Sequence, residues 1–344
     1  MSFDEGFVEE IRRNPADDNA RLILADYLEE LGDARGEFIR VQVELAEMPA
    51  MEEARRALEQ REKELIVEHG ERWLEPLRQL GAEGVTTRCF NRGLVERVKV
   101  SAENFVLHGA ELCRLAPAFH CLQLRNMPGH VPSLVTYQMP DQITRLDVSS
   151  QRIGITAEDV ARSRYQFQTN YLFSADWIDQ LTELNLSFNK LDDAHVAPLE
   201  LRDFSRLMNL NLGVNKLTAV RIGSLISNAK CNLHENLRSL NLKLNPIGTG
   251  QEAVEFGSLH QLRHLDVSSC GLTDEAFELH FSNGNFPSLE SLILRGNTLG
   301  ERTAETLMSS GKFENLEQLD LRNTGIPTTA TTGLKEKFSN AMIT

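Results

Sequence analysis

A recurring spacing of leucines constrains this chain more than any other feature. Leu181, Leu184, Leu186, Asn189 and Leu191 follow the form LxxLxLxxNxL. The form returns at Leu207/Leu210/Leu212/Asn215/Leu217, Leu237/Leu240/Leu242/Asn245/Ile247 and Leu262/Leu265/Val267/Cys270/Leu272. It returns again at Leu289/Leu292/Leu294/Asn297/Leu299 and Leu316/Leu319/Leu321/Thr324/Ile326. Upstream, Ile143/Leu146/Val148/Gln151/Ile153 fits with one polar substitution, while Phe119/Leu122/Leu124 and Val95/Val98/Val100 match only the first half. Copies therefore begin at residues 95, 119, 143, 181, 207, 237, 262, 289 and 316. Such a period marks a stacked array, because one copy cannot bury its own apolar edge and its neighbours must.

Within each copy, the alternation LxL predicts a short strand buried on one face. The next column reads Gln151, Asn189, Asn215, Asn245, Cys270, Asn297 and Thr324. A buried turn there leaves backbone groups to satisfy, and a short amide offers both donor and acceptor. Cys270 and Thr324 read as stand-ins, so Cys270 is expected to be structural and not a reactive thiol. Beyond the turn, residues 218–226, 273–279 and 300–308 carry apolar stripes at helical spacing. These motifs resemble the leucine-rich-repeat family, and the helical outer halves resemble its ribonuclease-inhibitor subclass. The resemblance implies an α/β fold: a leucine-rich-repeat solenoid, a horseshoe with a parallel sheet on the concave face and helices outside, preceded by a small all-α domain.

That first domain carries its own signals. Asn14 before Pro15 predicts a helix start. Leu22, Leu24, Ala25, Leu28 and Leu31 supply the apolar stripe and Gly32 ends it, after which Asp33 caps a helix carrying Phe38, Val41 and Leu45. The run through Asp17, Ala20, Arg21, Leu22, Ala25, Asp26, Tyr27, Leu28, Gly32, Asp33, Arg35, Gly36, Phe38, Arg40 and Gln42 resembles a short bacterial repeat-companion domain found ahead of such repeats. This second resemblance implies an architecture and a bacterial source, not a reaction. The expected organisation is a helical companion domain over 1–47 and a helical linker or cap over 48–85, with Trp73 and Leu77 against the open end of the array. Repeats follow over 86–327, with an insertion at 154–180 and an edge segment at 88–93, and a C-terminal cap helix covers 328–344.

Charge narrows the partners. The chain has 50 acidic and 36 basic side chains, a net charge of −14, and its first 47 residues hold thirteen acids against five bases. An acidic chain without a basic cluster repels phosphate backbones, so nucleic acid is not an expected partner. No apolar run approaches membrane-spanning length and the start lacks a signal-like segment, so no membrane partner is expected either. Cys89, Cys113, Cys121, Cys231 and Cys270 form no CxxC, which fits reduced thiols in a cytoplasmic protein. A monomer is expected.

Several apparent chemical motifs dissolve into the repeat. Gly248, Gly250 and Ala253 with Asp266 imitate a dinucleotide fingerprint, yet Gly248 aligns with Gly300, and Asp266 with Asp147 and Asp320. His260 and His264 enter a strand, where metal-like helical spacing does not apply. Asp26 and Glu30 lie one helical turn apart with no nucleophile nearby. Catalytic, cofactor-binding and metal-binding residues are therefore expected to be none.

The candidate binding residues lie between the leucines. Asn185, Asn211 and Asn241 occupy the middle strand column, and Lys243 and Arg295 lie in the next. Phe188, Val214 and Leu244 then follow one another in a column that elsewhere holds Ala102, Asn126, Ser150, Ser269, Gly296 and Asn323. A contiguous exposed apolar patch marks an interaction site, although these side chains could instead pack under the turn. A second candidate is the insertion with Tyr165, Phe167, Tyr171 and Trp177, which either recognises a partner or folds onto its own core. The expected function is a non-enzymatic protein–protein interaction module that binds a partner protein on the concave face. The alternatives are a regulator of an enzyme, or a scaffold whose acidic N-terminal domain docks a basic partner.

Overall fold

The computed structural model describes residues 5–14, 17–49, 53–127, 129–153, 172–281, 286–339 and 341–344. The chain forms two compact units, one of residues 1–126 with 137–146 and one of 127–136 with 147–344.

The first unit opens with α1 (Glu5–Arg13), α2 (Asp18–Glu30), α3 (Arg35–Glu47) and α4 (Glu53–Leu65), then a π-helical turn (Ile66–Gly70) and α5 (Glu71–Gln79). The sequence reading did not anticipate α1. It also misplaced the start of α2: Asp17 is the cap, its carboxylate accepting the Asn19 N–H at 2.9 Å, and not Asn14, while Pro15 lies outside the described residues. Gly32 ends α2 at φ +69°, and Asp33 accepts the Arg35 N–H at 3.0 Å as α3 begins. Gly36 permits the close approach of α3 to α2, since a Cβ there would lie 2.5 Å from the Ala25 carbonyl oxygen.

Short strands follow: β1 (Ala82–Glu83), β2 (Phe90–Asn91), β3 (Leu94–Val95), β4 (Arg97–Ser101), then α6 (Ala102–Leu115) and β5 (Cys121–Arg125). β4 and β5 are parallel, with Val98 opposite Leu122 and Val100 opposite Leu124. The strand beside β4 is β1, antiparallel, and not the segment 88–93, part of which forms a separate hairpin of β2 with β3. Helices and strands share their cores. Ile11, Leu24, Leu28, Ile39 and Val43 pack with Leu94 and Ala118, and Phe38, Val41 and Leu45 pack with Leu65, Trp73 and Phe90. Trp73 is half-buried with its ring centroid 5.1 Å from that of Phe38, and Leu77 is buried. Arg21 is wholly buried, with Nη2 donating to Glu96 Oε1 at 2.7 Å and Nη1 to the carbonyls of Asn91 and Arg92. The unit ends where the N–H groups of Thr144 and Arg145 donate to the His120 carbonyl, at the start of β6 (Arg145–Asp147).

The second unit contains α7 (Val131–Val135) and the strands β7 (Glu183–Asn185), β8 (Asn209–Asn211), β9 (Ser239–Asn241), β10 (His264–Asp266), β11 (Ser291–Ile293) and β12 (Gln318–Asp320). All are parallel and in chain order, and the register aligns Leu184, Leu210, Leu240, Leu265, Leu292 and Leu319 in one buried file. The file exists because each strand needs its neighbour both to pair its backbone and to cover its leucine. Between strands run α8 (Asp193–Val196), α9 (Ala219–Ser227), α10 (Leu233–Asn236), α11 (Asp274–Phe281), α12 (Glu301–Ser309) and α13 (Thr328–Lys337). After β9 there is only a 3-10 turn at residues 247–249, and a Cβ on Gly248 would lie 2.3 Å from the Gly271 carbonyl oxygen. That glycine serves contact between copies, and no helix follows it to receive a phosphate. The expected C-terminal cap helix is α13, but the chain then returns as β13 (Met342–Ile343), parallel to β12. This is a leucine-rich-repeat solenoid with an all-helical N-terminal region. Among the described residues, no helix is long and apolar enough to cross a membrane.

Candidate functional site

The asparagine column builds the frame of the site. Asn215 Oδ1 accepts the N–H groups of Asn189 and Leu191 at 3.1 and 3.0 Å, while its Nδ2 donates to the carbonyls of Leu186 and Leu212 at 3.1 and 2.8 Å. Asn189, Asn245 and Asn297 repeat this bridging between adjacent copies. Cys270 takes one place, its thiol 3.2 Å from the Leu242 carbonyl and its pKa pushed up to about 12 by burial. A thiol held protonated in this way is a poor nucleophile.

The residue before each amide is forced into the left-handed region. Phe188, Val214 and Leu244 have φ of +58°, +56° and +55°, and Asn126, Ser150, Ser269, Gly296 and Asn323 share the conformation. For an L-residue it costs about 1–2 kcal/mol, and a bulky or β-branched side chain is least suited to it. Asn, Ser and Gly are the usual answer; Phe, Val and Leu are not. Burial does not offset the strain, because Phe188 and Leu244 are each 52% exposed and Val214 is only half-buried. The N–H groups of Phe188, Val214 and Leu244 donate to the carbonyls of Gly213, Lys243 and Ser268 at 3.0, 2.7 and 2.9 Å. The three residues therefore stand side by side at the ~4.8 Å spacing of paired strands.

Beside this row, Asn185, Asn211 and Asn241 are half-buried, and each Oδ1 accepts the N–H two residues on, of Ser187, Gly213 and Lys243, at 3.0–3.1 Å. Their carbonyls serve their own turns, so only their Nδ2 groups, which have no protein partner among the described residues, remain for a ligand. A Cβ on Gly213 would lie 2.9 Å from Asn241 Oδ1, so the strand face is kept low there. Lys243 is half-buried and Arg295 exposed, and neither has an ion-pair partner among the described residues. Arg322, in the same column, is held by Asp320, whose carboxyl lies below its usual pKa chiefly through that hydrogen bond.

Sequence reasoning missed three further cations. Arg152, Lys190 and Lys216 each lie two positions past the left-handed column, all exposed and without a side-chain partner among the described residues. Reading that column across copies would have found them. Several other arginines of the unit are matched, Arg202 with Asp179, Arg221 with Glu200, Arg263 with Glu290, and Arg302 with Glu275 and Glu278.

The second candidate fares differently. Tyr165, Phe167 and Tyr171 lie outside the described residues. Trp177 is 8% exposed and its Nε1 donates to the Leu134 carbonyl at 3.0 Å, so it is a core residue and not a surface aromatic. In the first unit many acids are paired: Asp26 and Glu29 with Arg40, Glu37 with Arg61, Asp33 with Arg35. No group of three or more His, Cys, Asp or Glu side chains that could hold a metal ion occurs among the described residues.

A family model described as "Leucine Rich repeat" matches residues 181–194 and 258–276. Podocan-like protein 1 of Mus musculus is 36% identical over 88 residues, a stretch that is 26% of this chain and 14% of the mouse protein. Among solved structures, an internalin of Listeria monocytogenes is similar at 20% identity and a TM-score of 0.42, over 66% of this chain and 54% of the internalin chain. A leucine-rich-repeat protein of Leptospira interrogans is similar at 16% identity and a TM-score of 0.34, over 66% of this chain and 72% of the other.

Proposed function

We propose that this chain is a non-enzymatic protein-binding module that holds a partner protein on the concave side of the repeat sheet, against Phe188, Val214 and Leu244. One observation carries the reading: three successive copies keep apolar side chains at left-handed positions, Phe188 and Leu244 exposed and Val214 half-buried, where the backbone does not ask for them and the core does not enclose them. Lys243 and Arg295, cations without an ion-pair partner among the described residues, lie in the neighbouring column and would steer an acidic rim. Asn185, Asn211 and Asn241 offer Nδ2 donors, while the partly described insertion with Tyr165, Phe167 and Tyr171 is a secondary contact. We read residues 1–47 as a bacterial repeat-companion segment and the copies with α9, α11 and α12 as ribonuclease-inhibitor-like, in a monomer acting in the cytoplasm. The alternative in which the acidic segment docks a basic partner is less favoured, because many of its carboxylates are already paired within the chain. The test is affinity capture from the cell of origin with the wild type and with Phe188→Asn/Val214→Asn/Leu244→Asn. Proteins retained by the wild type and lost by the variant support the reading; identical retention contradicts it.

A further inference from the structure

We infer that the segment recognised at this site is an acidic amphipathic helix laid across the strands, an inference that rests on the reading just given. Its first support is spacing. The apolar row presents one side chain per copy, so its three members lie at about 0, 4.8 and 9.6 Å along the array. A helix that contacts with one residue per turn presents side chains at about 0, 5.4 and 10.8 Å, because its pitch is 5.4 Å. An extended strand presents same-face side chains every two residues, at about 0, 6.7 and 13.4 Å. Over three contacts the helix drifts from the row by about 1 Å and the strand by nearly 4 Å. Anchors at i, i+3 or i+4, and i+7 therefore meet Phe188, Val214 and Leu244 in turn.

The second support is charge. Parallel to the apolar row runs a basic one, Arg152, Lys190 and Lys216, held in register because Ile153 and Leu191, the residues after Arg152 and Lys190, donate their N–H groups to Asn189 Oδ1 and Asn215 Oδ1. The Lys216 N–H donates to the Leu191 carbonyl and completes the alignment. Lys243 lies on the opposite flank of the apolar row. These four cations have no acidic partner among the described residues of a chain whose net charge is −14. Charge complementarity selects a helix with Asp and Glu beside its apolar stripe. A polyphosphate backbone would use the cations but leave Val214 and Leu244 without function, since aliphatic side chains do not stack with bases as aromatic rings do.

The experiment is selection from a display library of random peptides of about 16 residues, long enough for four helical turns. Selection runs for the wild-type chain and against Phe188→Asn/Val214→Asn/Leu244→Asn. The expected winners carry apolar residues at i, i+3 or i+4 and i+7 flanked by Asp and Glu. A synthesised winner should become helical on binding, lose affinity about tenfold or more with Lys190→Glu/Lys216→Glu, and weaken as salt rises. Winners with alternating apolar residues, basic winners, an empty selection, or tighter binding of a single-stranded oligonucleotide would each overturn the inference. If any of these occurs while cell-derived proteins still distinguish wild type from the triple variant, the protein-binding reading survives and only the helical acidic ligand falls. If the triple variant retains those proteins, both fall.

Discussion

Val214 and Asn215 are chain neighbours that show two kinds of constraint. Asn215 is buried and satisfies backbone groups of two copies, so its removal leaves donors and acceptors stranded. Asn215→Ala is expected to lower stability by about 3 kcal/mol, since each unsatisfied buried group costs about 1–3 kcal/mol. A shift in the urea midpoint measures this, and a change below about 0.5 kcal/mol, the range of ordinary surface substitutions, would show that the amide ladder is incidental. Val214, one residue earlier, is set at φ +56° by that same ladder, where Asn or Gly would sit with less strain. The asparagines were legible in the sequence because one residue type recurs at one spacing. The strain at Val214 was not, because a left-handed angle leaves no trace in a residue that ordinarily avoids it.

At the scale of elements, the joins between helices and strands depend on single buried polar groups. Arg21, from α2, reaches Glu96 and the carbonyls of Asn91 and Arg92 around the β2–β3 hairpin. Arg21→Met should cost about 3 kcal/mol by leaving a largely covered carboxylate unpaired, and adding Glu96→Gln should restore part of it. A thermal melt of both single variants and the double variant decides; a double-variant loss equal to the sum of the two single losses would mean the two side chains are not coupled. His280, on α11, is buried with Nδ1 accepting the Val254 N–H at 3.1 Å and Nε2 donating to the Ile247 carbonyl at 3.3 Å. Burial holds its pKa below the ordinary value, against the smaller opposing effect of the Ile247 carbonyl, and burial likewise lowers that of His120. The unfolded chain then takes up the proton first as pH falls, so stability is full well above the unfolded histidine pKa of about 6.5 and declines as pH falls through it. The urea midpoint should drop between about pH 7 and 5.5, before carboxylates titrate; a flat profile would contradict this. The short elements were hardest to foresee. β1 and β13 are two-residue strands whose side chains carry no periodic signal, and only their pairing with a neighbouring strand defines them.

For the whole chain, the repeat made the buried leucine file readable before any coordinate, because alternation and spacing both pointed to the same face. The cations Arg152, Lys190 and Lys216 carry no periodic hydrophobic signal and are distant in sequence, so only reading one non-leucine column across the aligned copies brings them into a row. The central claim is that the fold does not need Phe188, Val214 and Leu244 and that binding does. Each retains roughly half of the ~1.5–3 kcal/mol that full burial of such a side chain provides, and relief of about 1–2 kcal/mol of left-handed strain offsets its loss. The most direct measurement is the urea unfolding midpoint of Phe188→Asn/Val214→Asn/Leu244→Asn beside that of Leu212→Ala. The triple variant is predicted to stay within about 1 kcal/mol of wild type while Leu212→Ala falls by about 2–5 kcal/mol. A triple variant as unstable as Leu212→Ala would show that the row belongs to the core, and the account would be wrong.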